Sequence, residues 1–138
     1  MNKDVIISVN GLQNNEIEQP VEVVSRGQFY RRGGKSFIKY EQADEYGDMS
    51  KCMIIFGENF LEMRRNGEEG RIHMLFEPGN TCMAVYEMPY GSMLMSTTTS
   101  ELDITEEKEL IEIHIEYTLD VNYMYMSDCC VDIRIMSE

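Results

Sequence analysis

Residues Glu109 to Val121, ELIEIHIEYTLDV, alternate apolar and polar side chains. Odd positions from residue 111 onwards carry isoleucine, tyrosine, leucine or valine, and even positions carry glutamate, histidine, threonine or aspartate. A period of two places successive side chains on opposite faces of an extended chain, so the stretch predicts a β-strand with one buried face. At roughly 3.3 Å per residue it would run about 40 Å and must coil or bend, which is typical of strands in barrels.

The rest of the chain reads as further strands, with turn signals every ten or so residues and no convincing helical period. The second strand opens at Pro20, and Gly27 within it predicts a bend or bulge. Gly33-Gly34 predicts a two-residue hairpin, and Pro78-Gly79 predicts a type II turn. We therefore predict an all-β fold, an antiparallel meander β-barrel of about 8 to 10 strands.

The chain's 138 residues suffice for a single β-barrel domain spanning residues 1–138. No apolar run approaches the length of a membrane span, and the start, Met1 to Val5, resembles no secretory leader. We therefore expect a cytoplasmic protein without a membrane partner. The four cysteines are expected to be free thiols because the cytosol is reducing. The adjacent Cys129 and Cys130 point to opposite faces of a strand, so they cannot easily be bridged or chelate one ion together.

The formal charge of −13 is unevenly distributed. Counted along the chain, residues 1–25 carry −3, residues 26–71 carry +1 and residues 72–138 carry −11. So acidic a surface repels phosphodiester backbones, whose binding depends on clustered lysine and arginine. Nucleic acid is therefore not an expected partner, and the charge by itself indicates solubility.

Several segments, taken in order along nearly the whole chain, resemble the YwiB-like family of small bacterial proteins. They are Val5–Gly11, Gly27–Tyr30, Ile38–Glu41, Met74–Gly79 and, above all, Tyr86–Ser92, which reads YEMPYGS. The resemblance implies a lipocalin-like (calycin) antiparallel barrel, and it implies no activity because the family is uncharacterised. The family usually has threonine where this chain has Met88, so a ligand contact made by that hydroxyl would be missing here.

The hexapeptide from Tyr86 to Gly91 is the first candidate for a ligand-binding site. Tyr86 and Tyr90 could present hydroxyls at a barrel mouth, where lipocalin-like barrels admit ligands. The alternative is that Pro89 and Gly91 shape a sharp corner against which the two rings pack.

A basic group on either side of the hairpin at residues 66–70 is the second candidate. Arg64-Arg65 faces Arg71 and His73 there, in the only part of the chain that is not acidic. Side chains pointing into a lumen could hold an anionic small molecule by charge-assisted hydrogen bonds. Alternatively the group is solvated and paired with the nearby acids Glu62, Glu68 and Glu69.

Two groups of methionines, Met88, Met93 and Met95 and then Met124 and Met126, could bind copper(I) or shape an adaptable apolar pocket, but as flexible gap-fillers in a core without tryptophan they need no ligand. No other residue pattern supports a metal, a cofactor or catalysis. His73 and His114 are the only histidines, and neither has a cysteine or second histidine at ligand spacing along the chain. No serine lies in a hydrolase motif. We therefore expect no catalytic residues, no metal site and no cofactor.

The architecture favours a protein that binds an apolar or amphipathic small molecule in its lumen. The alternative is a protein-protein interaction or structural module without a small ligand. Such a module could dock a basic partner on its acidic half, or form a homodimer through an edge strand.

Overall fold

The structure is a computed structural model, which describes residues 3–13, 21–43, 47–68 and 70–138. Pro20, the predicted start of the second strand, lies outside these residues. Within them, no helix is long and apolar enough to cross a membrane. The ten strands are β1 (Lys3–Gln13), β2 (Val21–Arg32), β3 (Lys35–Ala43), β4 (Met49–Phe56), β5 (Leu61–Gly67), β6 (Gly70–Phe76), β7 (Thr81–Met88), β8 (Gly91–Glu106), β9 (Leu110–Val121) and β10 (Met124–Ser137).

The strands form a closed barrel in chain order. Each strand pairs antiparallel with the next, and the ring closes because β1 also pairs with β10, from Val5 opposite Ser137 to Gln13 opposite Cys129. The predicted all-β antiparallel meander is therefore confirmed. A closed barrel of this topology is consistent with a lipocalin-like fold.

The centre of the barrel is packed with the apolar side chains of the alternating positions. β9 contains the alternating stretch that ends at Val121, and its residues Ile111, Ile113 and Ile115 are buried. Neighbouring strands contribute fully buried residues to the same core, among them Ile7, Ile38, Ile54, Leu61, Phe76 and Ile133. Because each such side chain contributes roughly 1.5–3 kcal/mol when removed from water, this packing is the main stabilising term.

The predicted turns have the backbone geometry that their residues favour. Gly33 and Gly34 have φ values of 60° and 77°, which is the pattern of a tight primed hairpin turn. Gly79 has a φ of 81°, and the amide of Asn80 donates to the carbonyl of Glu77 at 3.0 Å, as in a type II turn. Both turn predictions are therefore confirmed.

The predicted bulge at Gly27 is wrong. Gly27 is paired in register with Val5 on one side and with Tyr40 on the other. Glycine is required there for a different reason, because a Cβ at this position would lie 2.8 Å from the backbone oxygen of Lys39. The register shifts fall instead between Thr99 and Glu101 and between Tyr125 and Ser127, in the two strands that flank β9.

The thinnest ladder of the barrel lies between β6 and β7. Arg71 opposite Glu87 is the only residue pair in register between these two strands in the described part of the chain. Beyond that pair, β8 reaches β6 directly, where the hydroxyl of Thr97 donates to the carbonyl of Leu75 at 3.0 Å. Because the barrel is closed, none of the ten described strands is an outer edge. The sheet is least continuous at the seam between β6 and β7.

Candidate functional site: a basic groove across β2 to β7

An open groove of about 1130 Å³ crosses strands β2 to β7. Four of its residues lie opposite one another on successive strands, namely Tyr40, Cys52, Arg65 and Ile72. Tyr40 and Cys52 belong to the buried core, so this row has the phase of the barrel interior. The groove therefore joins the solvated surface to the edge of the core.

The groove gathers positive charge in an otherwise acidic chain. Six of the chain's twelve lysine and arginine residues line it, together with one histidine and four acids. The six cationic residues are Arg26, Lys39, Lys51, Arg64, Arg65 and Arg71, and the four acids are Asp4, Glu41, Glu87 and Glu138. A cleft lined mainly by one sign of charge attracts ligands of the opposite sign.

Arg65 differs from the other cations of the groove because it is half-buried and has the phase of the core. Over the four described ranges, no carboxylate forms an ion pair with it. Its guanidinium lowers the pKa of Cys52 and of Tyr40, but burial outweighs this effect and raises the pKa of both groups. Among the described residues, Arg65 is thus a half-buried cation without an ion-pair partner, whereas charges that are removed from water are normally paired.

The sequence identifies Arg65 only as part of the basic pair Arg64-Arg65. The alternation along β5 indicates which way Arg65 points. Leu61 and Met63 are apolar and precede Arg65 at intervals of two, so the three residues share one face of the strand. Leu61 is fully buried and Met63 packs against the core. The alternation of β5 therefore directs Arg65 inward and its neighbour Arg64 outward.

The predicted residues Arg64, Arg71 and His73 lie in the groove on its outward side. Arg64 and His73 are direct cross-strand partners, and both reach Glu62, at 3.3 Å and 3.1 Å respectively. Arg71 pairs with Glu87 at 3.0 Å. The three side chains are more than half exposed, so these contacts match the alternative of a solvated, salt-bridged hairpin. Glu69, which belonged to that alternative, lies outside the described residues.

The predicted residues Tyr86 and Tyr90 are not brought together. Tyr90 lies in the β7–β8 turn and is 94% exposed. Tyr86 is half-buried and lies over Gly70, where an added Cβ would overlap the tyrosine ring and come within 2.6 Å of the backbone oxygen of Glu87. Tyr86 therefore packs at the corner where β6 begins.

A second polar cluster lies elsewhere, on the outer face of β8, β9 and β10. Although no cysteine lies at ligand spacing from a histidine along the chain, cross-strand pairing brings Cys130 Sγ to 3.9 Å from both ring nitrogens of His114. Hydrogen bonds to Glu116 and Asp132 raise the pKa of His114 to about 9. The spacing of these residues along the chain does not reveal the cluster, because pairing between strands brings them together.

The fold and the groove define a small, closed, antiparallel β-barrel protein with a basic groove. The model of the family described as "Domain of unknown function (DUF1934)" matches residues 6–133, and the chain therefore belongs to the DUF1934 family. No curated protein gives a significant match to the chain.

Among solved structures, the chain is similar to the ywiB protein from Bacillus subtilis. The TM-score is 0.85 at 19% sequence identity, over 99% of this chain and 93% of that one. The likeness concerns the fold, and together with the family match it confirms the resemblance to the YwiB-like family.

Gly70→Ala should destabilise the protein by about 2 kcal/mol, because the new methyl group has no space between the Tyr86 ring and the β7 backbone. The measurement is urea denaturation followed by circular dichroism. Gly11→Ala is the matched control: no atom of the described residues lies within 4 Å of a Cβ built at Gly11, so its stability should be unchanged or slightly higher. Equal losses in the two variants would contradict the packing described for Tyr86.

Proposed function

We propose that the protein binds a small amphipathic molecule that carries an anionic group, and that the groove across β2 to β7 is the binding site. The single observation that carries this proposal is Arg65, a half-buried guanidinium with no carboxylate partner among the residues described. An anionic ligand would supply the missing countercharge. Guanidinium suits carboxylate and phosphate groups because it can donate two parallel hydrogen bonds to either.

The packed interior favours the groove over the lumen that the sequence argument expected. Ile7, Ile54 and Ile115 show no exposure at all, and they occupy the central section where a lumenal ligand would lie. The groove, at about 1130 Å³, has enough space for a small molecule, since such sites usually measure about 300–1,000 Å³. Its apolar lining, which includes Met53, Ile72 and Val85, suits the hydrocarbon part of an amphipathic ligand.

The remaining cations would assist Arg65. Lys39 and Lys51 lie on the outer face of β3 and β4 and add positive potential at the groove entrance. Arg64 and Arg71 already have carboxylate partners, so they are less available to a ligand. The ligand's anionic group is therefore expected beside Arg65 rather than at the exposed hairpin.

Arg65→Gln should weaken binding of anionic amphiphiles at least about tenfold, because a charge-assisted hydrogen bond is worth about 1.5–3 kcal/mol. The measurement is calorimetric titration with carboxylate, phosphate and sulfate amphiphiles, each matched by the alcohol of the same chain length. Wild-type protein should prefer the anions.

Arg134→Gln is the matched control, since Arg134 lies on β10 outside the groove and faces Glu112 at 3.9 Å. It should bind as the wild type does. Equal weakening of anion and alcohol by Arg65→Gln, or equal effects of the two variants, would contradict the role of Arg65. Native mass spectrometry of gently purified protein supplies the broader test, because a bare chain mass together with no binding across the panel would contradict small-molecule binding altogether.

A second candidate function is self-association, which the seam between β6 and β7 favours. Met83 and Val85 project outward from β7 beside this seam and are 54% and 50% exposed. A second copy of the chain could cover these apolar side chains. The cytoplasmic location and the lack of catalysis and nucleic-acid binding remain predictions from the sequence.

Met83→Lys should abolish a homodimer of this kind, because it places a charge in the apolar contact. Sedimentation velocity at several salt concentrations is the measurement. Met49→Lys is the matched control, since Met49 is a methionine of similar exposure, 52%, on β4. A monomer at every concentration of wild-type protein would exclude this candidate and leave small-molecule binding untouched.

A further inference from the structure

Six side chains with carboxylate, imidazole or thiol groups lie on the outer face of β8, β9 and β10, in two adjoining cross-strand rows. The rows are Asp103–His114–Asp132 and Glu101–Glu116–Cys130. Residues two apart on one strand share a face, so the rows form a compact patch. Strand pairing fixes the backbone of the patch, because β9 forms eleven residue pairs with β8 and twelve with β10.

His114 lies at the centre of this patch. Its Nδ1 atom is 2.6 Å from Asp132 Oδ1, and its Nε2 atom is 2.8 Å from Glu116 Oε2. The Sγ atom of Cys130 is 3.9 Å from each ring nitrogen, and Glu101 Oε2 is 3.5 Å from Nε2. The possible ligand atoms of His114, Cys130 and Asp132 all lie within 4.8 Å of one another.

The patch carries more negative charge than its one histidine can neutralise. Glu101 and Glu116 are direct cross-strand partners, and Asp103 lies two residues from Glu101 on the same face. Like charges on directly opposite positions of a sheet destabilise the pairing. A bound cation would relieve this repulsion.

We propose that His114, Cys130 and Asp132 form a binding site for one thiophilic divalent metal ion of the Zn²⁺ type. His114 Nδ1, Cys130 Sγ and Asp132 Oδ1 are the ligand atoms, and Glu116 accepts the hydrogen bond of the opposite ring nitrogen. A metal-bound histidine commonly has a carboxylate in that position, which fixes the orientation of its ring. Water completes the tetrahedron.

The observed distances require only side-chain adjustment. Two ligands on tetrahedral Zn²⁺ lie about 3.5 Å apart for a nitrogen and a sulfur, and about 3.4 Å apart for a nitrogen and an oxygen. The nitrogen–sulfur distance of 3.9 Å is close to the first value, whereas the present hydrogen bond between His114 and Asp132 must open to reach the second. The Asp132 side chain is 54% exposed and has room to rotate.

The donor set also determines which metals are expected. A thiolate, an imidazole and a carboxylate together suit Zn²⁺ and its neighbours Co²⁺ and Ni²⁺, whereas Mg²⁺ and Ca²⁺ prefer oxygen ligands alone. Binding requires the ring nitrogen and the thiol to lose their protons, so protons should be released when the metal binds.

The test uses reduced, metal-free full-length protein and two probes. Native mass spectrometry with Zn²⁺ should show one bound ion per chain, which excess Mg²⁺ does not displace. Titration with Co²⁺ should produce a thiolate-to-cobalt charge-transfer band in the near ultraviolet. Cys130→Ser should lose this band, and His114→Gln should weaken Zn²⁺ binding at least about tenfold.

Cys82→Ser is the matched control, because Cys82 is also a half-buried free cysteine but lies on β7. It should keep both the band and the affinity, and circular dichroism should show that all variants remain folded. Lack of a one-to-one Zn²⁺ adduct, a band that survives Cys130→Ser, or a band lost equally in Cys82→Ser would overturn the proposal. Arg65→Gln should leave metal binding intact, so failure of this site and failure of the groove can be told apart.

Discussion

The register between β9 and β10 is the constraint on which both faces of the barrel depend. The two-residue turn at Asn122 and Tyr123 would by itself place His114 opposite Val131. One extra residue at Met126 shifts this register, so that His114 lies opposite Asp132. A shift of one residue exchanges the two faces of a strand, and without it the isoleucines of β10 would face solvent.

Much of the barrel could be predicted because its strands obey a period of two and its turns use glycine and proline where the geometry requires them. Gly33-Gly34 and Pro78-Gly79 are examples in which the local sequence leaves few alternatives. The role of Gly27 was misjudged, because its close contact with the Lys39 backbone depends on a neighbouring strand.

The candidate sites were harder to predict because they depend on pairing between strands. Arg64, Arg71 and His73 lie in one region of the structure, as the hairpin predicts, but Arg65, on which the proposed binding depends, is distinguished only by the face on which it lies. The grouping of His114 with Cys130 requires the shift at Met126. The sequence contains a signal for that shift. With a two-residue turn and no extra residue, the apolar positions of β9 would lie opposite polar positions of β10.

The closed barrel keeps two opposite electrostatic environments apart. The groove across β2 to β7 concentrates cations in a chain of net charge −13, and the patch on β8 to β10 concentrates carboxylates around one histidine. The register of β9 and β10 is tested most directly by nuclear Overhauser contacts in solution. Cross-strand contacts should join His114 to Asp132 and Glu116 to Cys130, whereas contacts joining His114 to Val131 and Glu116 to Cys129 would contradict the register and the arrangement built on it.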